Sequence, residues 1–267
     1  MINYFLISHQ ENINLYEYQN IPNIKLTLVG QRHSNIDNTT SIVCNTLAHH
    51  IENYPTLCSY TAWYAIAQNG LSNAEFVSLL EYDILISKNF HQTNLDLINN
   101  SLDKTNFIIA YNKTLTNHYV FYKSTPWLEI ALKNTYNIDL QDFIYSYKDK
   151  LPFWPTSTNI TMPKTIFYDF ISWFHPMTEC FKNDSLGSYV HERAFFIFCA
   201  IHNIKIYYAN NVLWHKQLQS HKSYDIYGTF LRSKQTHTLK DSMLKEYDEV
   251  YLQAMKICQL THNQHKI

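Results

Sequence analysis

The run Phe76-Val77-Ser78-Leu79-Leu80 reads as a buried strand, and it ends abruptly in two acids, Glu81-Tyr82-Asp83, before Ile84-Leu85-Ile86 resumes the apolar pattern. A buried strand that closes on acid-x-acid belongs in a covered sheet and sets carboxylates at that sheet's edge. At such an edge a carboxylate can hold a divalent cation against a diphosphate. The alternative is a pair of exposed carboxylates at a strand end.

The rest of the chain narrows the choice by what it lacks. Only 4 glycines occur in 267 residues, so the glycine-rich loops that cradle phosphates through backbone N–H groups are absent. A bound nucleotide therefore calls for a metal bridge. The net charge is −1 and the Lys and Arg residues are scattered, which leaves no electrostatic footprint for nucleic acid. The five cysteines are odd in number, widely spaced and never in a C-x-x-C pair, which argues for reduced thiols and a cytoplasmic setting. No apolar stretch approaches the roughly 20 residues of a membrane span. Tyr is abundant at 21 residues, and its flat ring suits both cores and sugar or base stacking.

Hydrophobic spacing predicts strands at Tyr4 to Ser8, Lys25 to Val29, Phe76 to Leu80, Asn106 to Tyr111, Asn159 to Met162 and Lys205 to Ala209. Helices are expected over Asn53 to Gln68, with Pro55 in the first turn and Gly70 past the end, over His91 to Lys104, from Thr125-Pro126, from Pro163 and over Ser188 to His202. Thr238 to Leu260 reads as a long amphipathic tail. These elements imply one α/β domain, residues 1–221, with a mixed central sheet, and a C-terminal helical appendage, residues 222–267.

Three constellations can carry chemistry. Asp83 is the first-choice cation ligand of the acid pair. Glu192, in His191-Glu192-Arg193, is placed in or near a first helical turn, where the macrodipole favours a carboxylate; it is a candidate general base, and Arg193 can pair with it or bind a phosphate oxygen. Against that stands an ordinary helix start with a local ion pair. His215, after the last strand, offers an imidazole to a transition-metal ion, although any one of 14 histidines is more often a surface or core residue.

Taken together, these residues resemble a GT-A-type glycosyltransferase of the small bacterial or viral kind that builds surface polysaccharides. The resemblance is carried by Phe5-Leu6-Ile7-Ser8-His9, by Tyr60-Thr61-Ala62-Trp63-Tyr64, by Leu80-Glu81-Tyr82-Asp83 as a variant D-x-D motif, and by His191-Glu192-Arg193 through Leu213-Trp214-His215. It implies a Rossmann-like nucleotide-sugar-binding fold and a nucleotide-sugar donor held at Ser8, His9, Arg32, Glu81, Asp83 and Arg193. It also implies Mn²⁺ or Mg²⁺ on Asp83 and His215, and Glu192 as the base of an inverting transfer to a glycan or lipid-linked glycan. Glu81 departs from the motif, which carries Asp at that position. Trp154 and Asn159 are expected on the acceptor side, with Trp154 divided between that groove and the core and Trp173 read first as a core residue. A metal-dependent phosphoesterase and a non-catalytic glycan-binding protein are the competing classes. For the tail, docking on the core is the default; a homodimer contact and a peripheral membrane contact are the alternatives.

Overall fold

The computed structural model describes residues 1–30, 41–111, 113–115, 125–147, 153–155, 158–184, 187–216 and 252. Strand β1 (Ile2–Ser8) is buried along its whole length, as a parallel strand covered on both faces must be. It pairs in parallel with β2 (Ile24–Leu28) on one side and with β4 (Phe76–Glu81) on the other, and β3 (Ser41–Val43) extends the sheet beyond β2. Past β4 lie β9 (Ile160–Pro163), β6 (Phe107–Ala110) and β10 (Lys205–Tyr208). The order is β10-β6-β9-β4-β1-β2-β3, and of these seven strands β9 alone runs antiparallel. The mixed α/β architecture expected from the sequence is the one observed.

Alternation along β4 divides the core. Val77 and Leu79 face a helical layer built from α1 (Ser59–Gln68), α3 (Thr125–Tyr136), α5 (Lys164–Phe174) and α6 (Gly187–Ile201), where Trp63, Phe167, Phe170 and Phe195 interlock edge to face. Phe76 and Leu80 face the opposite layer with Tyr4, Leu6, Tyr18 and Phe107, closed by α2 (Phe90–Asn100). Ser78 sits between them without orphaned polarity, because Thr161 Oγ1 donates to its hydroxyl at 2.7 Å. Trp173 stacks on Tyr136 with centroids 5.3 Å apart and packs beside Phe170, so it belongs to the core.

Two departures from the expected elements bear on the site. The helix predicted from Asn53 is broken: a 3-10 turn spans Pro55–Leu57, Cys58 takes a positive φ of 44°, and α1 begins only at Ser59. The strand expected to be last is not, because β11 (Leu213–His215) follows and pairs antiparallel with β5 (Ile84–Ile86). A further two-stranded ribbon joins β7 (Lys113–Leu115) to β8 (Phe153–Pro155), and α4 (Leu140–Tyr147) was not anticipated. Of the tail, only Leu252 is described, and the proposed helix and domain division there lie outside the described residues. No helix among the described residues is long and apolar enough to cross a membrane.

Candidate functional site

The chain leaves β1 toward β2 on one side and returns to β4 on the other. The carboxyl ends of β1 and β4 therefore flank a topological switch point, the place where parallel α/β sheets open a ligand crevice. Ser8 ends β1 there. Its Oγ accepts from the Gln10 N–H at 2.8 Å and donates to the Gln10 carbonyl at 2.9 Å, which turns the chain out of the sheet. His9 follows on the surface with its ring edge-on to Tyr82 at 4.9 Å. Across the crevice β4 delivers Glu81-Tyr82-Asp83. Arg32 lies outside the described residues.

The two acids of the motif separate. Glu81 continues the Val77/Leu79 side of β4 and enters the helical layer, where Thr158 Oγ1 donates to its carboxylate and Asn159 Oδ1 accepts from its backbone N–H at 2.7 Å. Burial pushes Glu81 up to about 7; hydrogen bonds from Thr158 and Ser59 pull it down, and the charge of Asp83 adds to the rise. Ser59 is the first residue of α1, directly after Cys58 with its positive φ. Asp83 is buried beyond the strand end. Beside it β11 adds to β5 with His215 opposite Ile84 and Trp214 opposite Leu85. The backbone of His215 thus lies next to the acid motif despite its distance in sequence.

Glu192 lies in the second turn of α6, near the first turn but past it, so the helix terminus does not hold it ionised. Burial pushes it up to about 7 instead, against the pull of Arg193 and with the charge of Glu81 adding to the rise. Asp83, Glu81 and Glu192 therefore form an electrostatic chain from the switch point into the helical layer. A carboxyl group titrating near neutrality is suited to exchange protons at neutral pH. Arg193 is only 3 % exposed; its guanidinium donates to the Tyr189 carbonyl and lies 3.4 Å from Glu192, an arrangement internal to α6. His191 is sealed among Tyr60, Trp63, Phe170 and Phe174, and burial pushes it down to about 3, so it stays neutral in the core.

Two expected acceptor residues are placed apart from each other. The Asn159 carboxamide oxygen is engaged at the end of β4, whereas Trp154 lies in β8, opposite Thr114 in the separate β7–β8 ribbon. Sequence reasoning missed Ser59, Tyr82 and Tyr18, none of which has a motif of its own. Thr158, in the segment Thr156-Ser157-Thr158-Asn159, reads from sequence as a hydrogen-bonding group of the acceptor groove, whereas in the structure it donates to Glu81. Among the described residues no group of three or more His, Cys, Asp or Glu side chains is assembled to hold a metal ion.

A mostly parallel, helix-covered sheet with its acid motif at the switch point is a Rossmann-like fold. Among solved structures, the chain is similar to the apo structure of the bifunctional glycosyltransferase WbbM, with a TM-score of 0.58 and 14 % identity over 81 % of this chain. At that identity the likeness is one of fold, and this chain spans 45 % of the length of that protein. No family model and no curated protein matches the chain.

Proposed function

We propose that the protein is a glycosyltransferase of the GT-A type, moving a sugar from a nucleotide-sugar donor to a glycan or lipid-linked glycan hydroxyl. The observation that carries the proposal is the placement of buried Asp83 at the β1/β4 switch point, in a fold shared with a glycosyltransferase. The donor would lie across the carboxyl ends of β1 and β4, with His9 and Tyr82 at the rim for the base and ribose and Asp83 at the diphosphate.

An oxygen donor on Asp83 and the imidazole of His215, whose backbone pairs with Ile84 beside the acid motif, would be the residues to hold the cation, a mixed oxygen and nitrogen donor chemistry that suits Mn²⁺, with Mg²⁺ as the harder alternative. When bound, the cation supplies charge neutralisation for the departing nucleoside diphosphate. Glu81 is left out of that set, since its carboxylate already accepts from Thr158 and lies on the helical-layer side of β4. Glu192 acts as the base: near pH 7 a substantial fraction is ionised, and burial makes it a stronger proton acceptor than a solvated carboxylate. It takes the proton of the acceptor hydroxyl as that oxygen attacks the anomeric carbon, with inversion. Arg193 keeps Glu192 oriented.

The test is to incubate the protein with a panel of nucleotide-sugars, Mn²⁺ and candidate glycans. Release of nucleoside diphosphate with a glycosylated product supports the proposal. Release of inorganic phosphate or nucleoside monophosphate instead would replace it with phosphoester hydrolysis.

A further inference from the structure

The backbone that presents Asp83 is gripped by groups from two remote parts of the chain. Tyr18 closes the 3-10 turn Leu15–Tyr18 between β1 and β2, and its buried hydroxyl donates to the carbonyl of Tyr82 at 2.8 Å and, more weakly, to that of Ile84 at 3.2 Å. The carbonyl between them belongs to Asp83 itself and accepts from the Lys216 N–H at 2.7 Å, one residue past β11. The two grips are tied together: Lys216 Nζ is 2.6 Å from Glu17 Oε2 and 5.8 Å from the centroid of the Tyr18 ring. Three successive carbonyls around one aspartate are thus satisfied from outside the motif. A turn that only needed to leave a sheet could meet them with water.

We propose that Glu17, Tyr18 and Lys216 form a clasp that positions Asp83 for the donor diphosphate and couples donor binding to the seating of β11. The inference rests on the assignment of Asp83 to the donor site. Tyr18 and Lys216 are positioning residues: they act through the backbone of Asp83 and touch no substrate. Without the clasp, the ligand has to order residues 82–84 itself, so the loss falls on affinity rather than on turnover. Reciprocity follows, because whatever helps β11 hold Asp83 in place must in turn be strengthened by the bound donor.

The experiment measures Kd by calorimetry for UDP, GDP, dTDP and CDP with MnCl₂, in the full chain and in the variants Tyr18→Phe, Glu17→Gln and Lys216→Met. Hydrogen exchange at the Lys216 amide is followed in the same samples. Tyr18→Phe is expected to weaken the nucleotide that binds wild type by about tenfold, the scale of one or two lost hydrogen bonds. Glu17→Gln and Lys216→Met each weaken it by about threefold, the scale of an exposed ion pair, with ligand-free Tm unchanged. Nucleotide slows exchange at Lys216 in wild type and does so less in Tyr18→Phe. If wild type binds and Tyr18→Phe matches it within twofold, or the Glu17 and Lys216 variants match it where Tyr18→Phe fails to fold, the clasp is overturned and the proposed function stands. If wild type binds none of the four, the proposed function falls and the clasp with it.

Discussion

Replacing Glu192 with Gln keeps the shape of the side chain and removes its ionisation, so it isolates what the buried charge does. The folded-state pKa is about 7 against an ordinary 4.5. A carboxyl whose pKa is raised on folding favours the native state while it stays protonated. That contribution is full below about pH 4.5 and is lost as pH climbs through about 7. The gap corresponds to about 3 kcal/mol of destabilisation once the group is ionised in both states. The side chain is 16 % exposed, so solvent screening removes little of this. Glu192→Gln should therefore match wild type in Tm near pH 4.5 and exceed it by about 6 °C at pH 8.5, taking about 2 °C per kcal/mol for a chain of this length. Differential scanning fluorimetry across pH 4.5 to 8.5 provides the comparison, with nucleoside diphosphate release assayed in parallel; turnover should fall by at least about a hundredfold. A Tm difference that stays flat over this pH range would refute the buried ionisation. A variant that keeps full turnover would refute Glu192 as the base.

Asp83→Asn, which removes the carboxylate charge from the switch point, should lower kcat/KM by about 10² to 10³ and abolish Mn²⁺-dependent nucleotide binding, measured by steady-state kinetics and calorimetry; nucleotide affinity equal to wild type would count against the donor assignment. Thr158→Val strips a donor from the Glu81 carboxylate, so it should destabilise the protein above pH 7 by about 1 to 3 kcal/mol in urea titrations and by less below about pH 4, under the ordinary 4.5 of the unfolded chain, where Glu81 is protonated in both states. Equal losses at both pH values would show that packing alone is at stake. Asn3→Ala removes a buried oxygen that accepts from Ser72 Oγ and from the N–H groups of Asn73 and Ala74, leaving two backbone donors without their partner. About 2 to 4 kcal/mol should be lost in equilibrium unfolding, and a change under about 1 kcal/mol would mean that water replaces the side chain.

What the sequence by itself determined is whatever depends on near neighbours. The largely apolar runs at β1, β4 and β6, the alternation in β2, and the helical spacing in α1, α5 and α6 are written in local hydrophobic period, and the strand ending in Glu81-Tyr82-Asp83 is visible for the same reason. The three-residue strands β3, β5, β7, β8 and β11 are too short for any period to register and exist only because a partner strand lies alongside. Strand order, and with it the switch point between β1 and β4, was decided by tertiary packing, since nothing local says on which side of β1 a later strand will lie. The same holds for the parting of the two motif acids. Alternation along β4 aims Glu81 into the helical layer, but only the fold brings Thr158 to its carboxylate there, and its charge reaches Glu192 only through the folded arrangement of β4 and α6. Chemistry-bearing residue types can be read from a chain, but their pKa values and alliances arise from burial and long-range contact, which exist only once the sheet has closed.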